Sequence, residues 1–325
     1  MQLLALSLIA SLVGLASTAA TKSRPTAAAT SMRVITQFAQ GTWLENLVVR
    51  FDGSIIITVL TSPVLLLLEP KTGVVSQLKT IPGATGTFGI AELSPTLFAF
   101  AAGNFTDDEL PLPIDHTFSI WTYDAARNKT HKIMDTPDAG ILNGLVAINP
   151  NVLLASDSTM GVVRRFDLRR RSHRIEITAP ELMPDDSFFL GVNGLRYAAP
   201  FLYFSNTAQG GFGRVRINGN GEQTGPVELR SDMVGVHVDD FALTPTNNAF
   251  VTTDPFNELM HITSGGVSST FAGAQTSLQV AGCTSAQFSR DHKTLFVVTN
   301  GARAAPINGT ITEGGKVVAF TGRFP

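Results

Sequence analysis

The stretch NGLVAINPNVLLASDS, residues 143–158, holds a polar residue, an apolar strand, an Asn-Pro-Asn turn, a second apolar strand and a closing Asp. NGLRYAAPFLYFSNT starts fifty residues later at Asn193, and DFALTPTNNAFVTTDP starts at Asp240. The internal spacing repeats: 14 residues from Asn143 to Asp157, 13 from Asn193 to Asn206 and 14 from Asp240 to Asp254. Short strands, Gly/Pro/Asn/Asp turns and a period near fifty indicate a repeat architecture of strands.

Projecting the same spacing outward yields the remaining units. GIAELSPTLFAFAAGN puts Ile90 fourteen before Asn104, and SAQFSRDHKTLFVVTNG puts Ala286 fourteen before Asn300. ENLVVRFDGSIIITVL begins at Glu45, with Asp52-Gly53 as a hairpin turn, although its second strand ends without the Asp or Asn. The six starts are Glu45, Ile90, Asn143, Asn193, Asp240 and Ala286. Third and fourth strands follow in most units, as in GVVRRFDLRRRSHRIEI and GRVRINGNGEQTGPVEL. No convincing long amphipathic helix interrupts them. The sequence therefore predicts an all-β fold, a six-bladed propeller with four-stranded antiparallel blades. RVITQFAQG, residues 33–41, has no unit of its own and is expected to close the ring beside KVVAFTG.

Around this domain, expected over 33–325, lie two other segments. MQLLALSLIASLVGLASTAA, residues 1–20, is apolar and ends in small residues, as a secretory signal peptide does. Residues 21–32 are expected to be a disordered spacer. The sequons at Asn104, Asn128 and Asn308 agree with a secreted or secretory-lumen glycoprotein. With Cys283 the only cysteine, no intrachain disulfide can staple the fold, and a large core must hold it.

Composition narrows the function. Charged residues are 15% of the chain and the net charge is -2. The run Arg169-Arg170-Arg171 is too short to track a phosphate backbone, so nucleic acid is not expected as a partner, nor a membrane once the leader is removed. The six histidines form no HExxH pair; His237 alone stands near a unit start. No GxSxG elbow occurs, and Cys283 has no His partner in sequence. GNGEQTG, residues 219–225, is a blade turn without the strand-to-helix context of a phosphate loop.

In a propeller the innermost strands start near the axis, so Glu45, Asn143, Asn193 and Asp240 are expected to converge, with Ile90 and Ala286 as the apolar part of the ring. Two carboxylates and two amide oxygens are hard ligands suited to Ca²⁺; without a cation the acids would repel, and one pKa would rise. These residues alone leave metal occupancy open. Asp157, Asn206, Asp254 and Asn300 are expected at the mouth of the same face.

The NGL unit with its following strand and DS, and the acid opening the first unit, resemble the senescence-marker/gluconolactonase superfamily of six-bladed propellers. That resemblance covers nearly the whole mature chain. It implies a divalent cation held at Glu45, Asn143, Asn193 and Asp240, and hydrolysis of lactones or phosphotriesters. QFAQGTWLENLVVRFDGSIIIT, together with the leader and the sequons, is similar to a fungal secreted branch that includes hetero-Diels–Alderases of tropolone-sesquiterpenoid biosynthesis. This narrower resemblance implies a secondary-metabolite enzyme joining a tropolone quinone methide to a humulene-type alkene, making a meroterpenoid. Such chemistry requires no cofactor; a structural Ca²⁺ remains compatible with it. It needs apolar small-molecule partners held in near-attack geometry and a few placed polar groups. Expected walls are Trp43, Phe88, Leu142, Val192, Phe241 and Cys283, with Asn143, Asn193 and Thr284 as catalytic polar contacts. The alternatives are a Ca²⁺-dependent lactonase and a secreted binding propeller without chemistry.

Overall fold

The computed structural model describes residues 30–325 apart from Asp107 and Glu109. The expected leader, and the spacer up to residue 29, lie outside the described residues. The rest of the expected spacer is partly strand, because β1 (Ser31–Gln40) already begins at Ser31.

Six four-stranded antiparallel sheets follow the repeat. Blade 1 comprises β2 (Leu44–Val49), β3 (Ile55–Val59), β4 (Val64–Glu69) and β5 (Val74–Thr80). Blade 2 comprises β6 (Gly86–Ser94), β7 (Leu97–Gly103), β8 (Ser119–Asp124) and β9 (Lys129–Asp135). Blade 3 holds β10 (Leu142–Asn149), β11 (Val152–Asp157), β12 (Val162–Asp167) and β13 (Ser172–Thr178). Blade 4 holds β14 (Val192–Ala198), β15 (Phe201–Asn206), β16 (Gly211–Ile217) and β17 (Gln223–Asp232). Blade 5 is β18 (Phe241–Leu243), β19 (Ala249–Thr253), β20 (Glu258–Ile262) and β21 (Ser268–Gly273). Blade 6 is β22 (Cys283–Phe288), β23 (Thr294–Thr299) and β24 (Gly314–Thr321), completed by β1.

The polar–apolar sequence of each blade explains its radial order. Inner strands such as β3 and β11 are fully buried, whereas outer strands such as β5 and β9 alternate exposed and half-buried residues. Apolar clusters fill the spaces between neighbouring blades, as where Leu154 and Val163 of blade 3 meet Leu195 and Phe204 of blade 4. Inner strands of successive blades touch in chain order, and β2 of blade 1 also touches β22 of blade 6. The ring is closed, so blade 2 stands opposite blade 5. Among the described residues no helix is long and apolar enough to cross a membrane.

Close approach of the inner strands demands glycine at one recurring position. A Cβ on Gly144 would lie 2.3 Å from the Asn193 carbonyl oxygen, and one on Gly89 would lie 1.9 Å from that of Asn143. Neither neighbour is a flexible side-chain tip, so the backbones would have to separate. Gly144→Ala should therefore lower unfolding free energy by about 1–3 kcal/mol, the usual cost of overpacking. Urea denaturation measures it; an unchanged midpoint would refute the packing constraint.

Candidate functional site

A β-bulge on five of the six innermost strands aims one side chain inward. The register slips between Leu44 and Leu47, Thr87 and Ile90, Leu142 and Leu145, Val192 and Leu195, and Cys283 and Ser285. Bulges of this sort re-aim side chains next to sites. Superposing these registers makes Glu45, Phe88, Asn143, Asn193 and Thr284 equivalent. Blade 5 begins its regular strand later, at Phe241. Its equivalent is fixed by hydrogen bonds between blades: Ser156 Oγ donates to the Asn193 carbonyl, Ser205 Oγ to that of Asp239, and Thr252 Oγ1 to that of Thr284.

Asp239, not Asp240, is thus the blade 5 member of the ring. The two adjacent acids made a count of fourteen from Asp254 land one residue late. Asp240 lies one position deeper and faces away from the cavity. Its Oδ2 accepts hydrogen bonds from Arg196 (2.7 Å), Ser285 Oγ (2.8 Å) and Asn46 Nδ2 (3.2 Å). These partners come from blades 4, 6 and 1, so the network spans the axis beneath the ring. Ile90 and Ala286 are displaced by two residues for a related reason, since their reference residues Asn104 and Asn300 lie beyond the position of Asp157. Phe88 and Thr284 take their places.

Above this network opens a cavity of about 890 Å³, counting its mouth. Strand alternation puts each ring residue and the one two before it on the same side. Trp43 with Glu45, Ile141 with Asn143, and His237 with Asp239 accordingly all line it, as do Phe88 and Asn193. Leu142, Val192, Phe241 and Cys283, expected as walls, instead pack between blades because they sit on the alternate face. Thr284 does not line the cavity; its hydroxyl donates to the Leu44 and Val298 carbonyls. Of the expected mouth residues, Asp254 lines the cavity. Asp157 is buried in an ion pair with Arg164 (2.7 Å), and Asn206 Nδ2 caps the Glu181 and Met183 carbonyls. Asn300 stands behind Asp254, its Nδ2 donating to Asp254 Oδ1 at 2.6 Å.

The lining divides by blade. Phe88, stacked on Phe105 at 4.8 Å, continues into Leu110–Pro113 of the long blade 2 loop. Phe188–Leu190, from the link between blades 3 and 4, extend this apolar side. Leu110, Leu112 and Phe189 are exposed at the rim. Blade 5, opposite, contributes His237, Asp239 and Asp254. The loop residues have no counterpart in the repeat, which is why spacing did not reveal them. Ile141 and His237 were detectable through their i−2 relation to the ring.

Three carboxyl groups share this space. Burial, reinforced by the Asp254 and Asp240 charges, pushes Glu45 up to about 8 despite its hydrogen bond from Trp43 Nε1 (2.8 Å). Burial also raises Asp254 to about 7, against the Asn300 hydrogen bond. Burial and the charges of Glu45, Asp254 and Asp240 raise Asp239 well above the carboxylate range. Asn193 is 3% exposed; its Nδ2 donates to Thr207 Oγ1 at 2.9 Å, and its Oδ1 is buried without a hydrogen-bond partner among the described residues. The Asn143 amide also has no partner among the described residues. Burial raises the Cys283 thiol, and its Sγ contacts the Glu258 carbonyl, so it is not an activated nucleophile.

Among the described residues no three His, Cys, Asp or Glu side chains form a metal-binding group. The four oxygen-bearing residues Glu45, Asn143, Asn193 and Asp239 do match a hard cation in chemistry, and the buried, unpartnered Asn193 Oδ1 is the sort of acceptor such an ion satisfies.

No protein-family model matches the chain. It is 25% identical over 304 residues, 80% of this chain and 75% of the other, to "Putative hetero-Diels-Alderase asR5" of Sarocladium schorii. In structure it is similar to a gluconolactonase from Xanthomonas campestris, with a TM-score of 0.63, 12% identity and coverage of 90% of this chain and 89% of that one. Regucalcin, a calcium-binding protein from Agrobacterium tumefaciens, matches with a TM-score of 0.63 and 14% identity over 91% of this chain and 96% of its own. In sequence the chain is therefore similar to asR5, and in architecture it is a six-bladed propeller similar in fold to the gluconolactonase.

Proposed function

We propose that the protein is a hetero-Diels–Alderase joining a tropolone quinone methide to a humulene-type alkene. The observation that carries this is the division of one cavity into a broad apolar side and a small polar side, and the likeness to asR5 agrees with it. In the reaction the O=C–C=C heterodiene and the alkene each give up a π bond. One C–O and one C–C σ bond form, the remaining diene π bond shifts, and no atom leaves. No nucleophile or proton relay is required. Holding both partners in near-attack geometry is worth up to about 7–11 kcal/mol in well-oriented systems. Trp43, Phe88 and the blade 2 loop supply apolar surface. The free Asn143 amide can donate to the heterodiene oxygen, lowering its acceptor orbital and selecting a face. The leader and the sequons support placing this activity in the secretory lumen or outside the cell; Asn128 and Asn308 are exposed, whereas Asn104 is half-buried.

The test follows product ratios. Wild-type protein, a quinone methide generated in situ and humulene should give one stereoisomer in excess. Trp43→Ala or Asn143→Ala should return the mixture towards the uncatalysed ratio, with about a 10²-fold loss of rate where a preorganised donor is removed. Ratios unchanged in both variants would refute the assignment.

A second reading is favoured by the oxygen set of the ring. Glu45, Asn143, Asn193 and Asp239 would hold a divalent cation, which supplies Lewis-acid polarisation of a lactone carbonyl. Lactone hydrolysis that disappears on chelation would support it. Stereoselective adduct formation by chelated protein would favour the pericyclic function.

A further inference from the structure

Asp254 has no role in either ring chemistry, yet its surroundings are specific. It follows β19 of blade 5, half-buried at the wall of the cavity. Oδ1 is fixed by Asn300 Nδ2, and Asn300 is fully buried, with its own Oδ1 accepting from the Arg303 backbone N–H at 3.0 Å. Asp254 Oδ2 has no hydrogen-bond partner among the described residues. A side chain held by one oxygen, with the other left to the cavity, is built to meet something. A second feature points the same way: the buried Asn193 Oδ1, in the wall of the same cavity, lacks a donor.

We propose that the Asp254 carboxyl, anchored by Asn300, donates a hydrogen bond to the carbonyl oxygen of the oxygenated reactant, so that blade 5 holds this partner and blade 2 the hydrocarbon. The proposal rests on the cycloaddition function and names the residue that orients its electrophile. It follows from the opposition of the two blades. A ligand with one oxygenated edge and one apolar edge can satisfy both walls in only one orientation. The carboxyl can donate because burial keeps it protonated to about pH 7. The groups facing it are Glu45 of blade 1, His237 and Asp239 of blade 5, and Cys283 of blade 6; the Arg303 guanidinium is engaged by the Gly41 and Asp108 carbonyls. A protonated acid holding a carbonyl also draws electron density from the heterodiene, the role of a preorganised donor.

Binding can be separated from reaction. Tropone, a carbonyl on an apolar ring without a hydroxyl, is the probe. Its binding is read by quenching of Trp43, in a Trp121→Phe background that leaves this as the only tryptophan. Asp254→Ala should weaken tropone binding about tenfold at pH 6, whereas Asp254→Asn, which keeps a neutral donor, should stay within about threefold of wild type. As pH rises through about 7, wild-type affinity should fall as the donor ionises, while Asp254→Asn should not follow. Asn300→Ser removes a donor that favours the ionised form, so its transition should move to higher pH. Thermal melts establish that each variant is folded.

Unchanged binding in Asp254→Ala, equal loss in Asp254→Asn, a pH dependence unaffected by Asn300→Ser, or no binding of tropone by wild type would each overturn the donor assignment. Turnover with the quinone methide and humulene is scored separately. If tropone binding follows the expected pattern but adduct formation is not accelerated, the cycloaddition function fails while Asp254 stands as a carbonyl donor.

Discussion

Deletion of residues 31–40 should abolish cooperative folding. These residues form β1, which pairs with β24 from Ser31–Thr321 to Gln40–Gly314 and completes blade 6. β1 also reaches blade 1: Arg33 donates to the Pro70 carbonyl, and the Ile35 carbonyl passes 2.8 Å from where a Cβ on Gly73 would lie. Ile35 and Phe38 pack on the core shared by blades 1 and 6. The register gives seven residue pairs, and each backbone hydrogen bond contributes about 1 kcal/mol net. Their loss is comparable to the whole margin of about 5–15 kcal/mol that keeps a domain folded. It would also leave β24 as an unpaired edge prone to association. Circular dichroism melts of the truncated chain should show a broad, early transition or none, and a synthetic 31–40 peptide should partly restore it. A truncated chain melting within a few degrees of the intact one would show that closure does not depend on β1.

Asp240→Ala is the second change expected to be severe. The carboxylate is buried and gathers Arg196, Ser285 and Asn46 from three other blades. Removing it leaves the Arg196 guanidinium, only 19% exposed, without its counter-charge. Breaking one side of such a pair costs about 3–5 kcal/mol. Arg196→Met combined with Asp240→Ala should cost less than the sum of the single changes, because no orphan charge remains. Urea denaturation of the four proteins measures the coupling. Strict additivity would mean the pair does not act as a unit. Were Asp240 a cation ligand, its loss would instead appear chiefly as weakened metal binding.

The propeller was legible because its blades share one hydrophobic period and one internal spacing, so the fold could be counted outward from the units at Asn143, Asn193 and Asp240. Ring closure followed from a strand left without a unit. The site was only partly legible. Spacing located Glu45, Asn143 and Asn193, where Glu-Asn-Leu and Asn-Gly-Leu place the bulge in the same frame. It slipped at Asp239-Asp240, where two identical residues offer two frames and only the hydrogen bond from Ser205 distinguishes them. It slipped again at Ile90, because the turn-end Asn104 lies two residues beyond the position of Asp157. The walls misled for a simpler reason: Leu142, Val192, Phe241 and Cys283 are as apolar as true lining residues, and sequence does not say which face of a buried strand meets the next blade. The blade 2 loop, which supplies much of the apolar side, has no repeat partner and could be found only in three dimensions.

The cross-axis network around Asp240 has a kinetic corollary. It lies between the upper cavity and a depression of about 770 Å³ at the opposite end, which half-buried Arg196 lines with Gln287 and Leu47. The mouth edged by Leu110, Leu112 and Phe189 is then the opening that leads away from this network. Under the proposed cycloaddition two molecules enter and one larger molecule leaves, so escape of the adduct past Leu110, Leu112 and Phe189, rather than bond making, would be the step positioned to set the turnover rate.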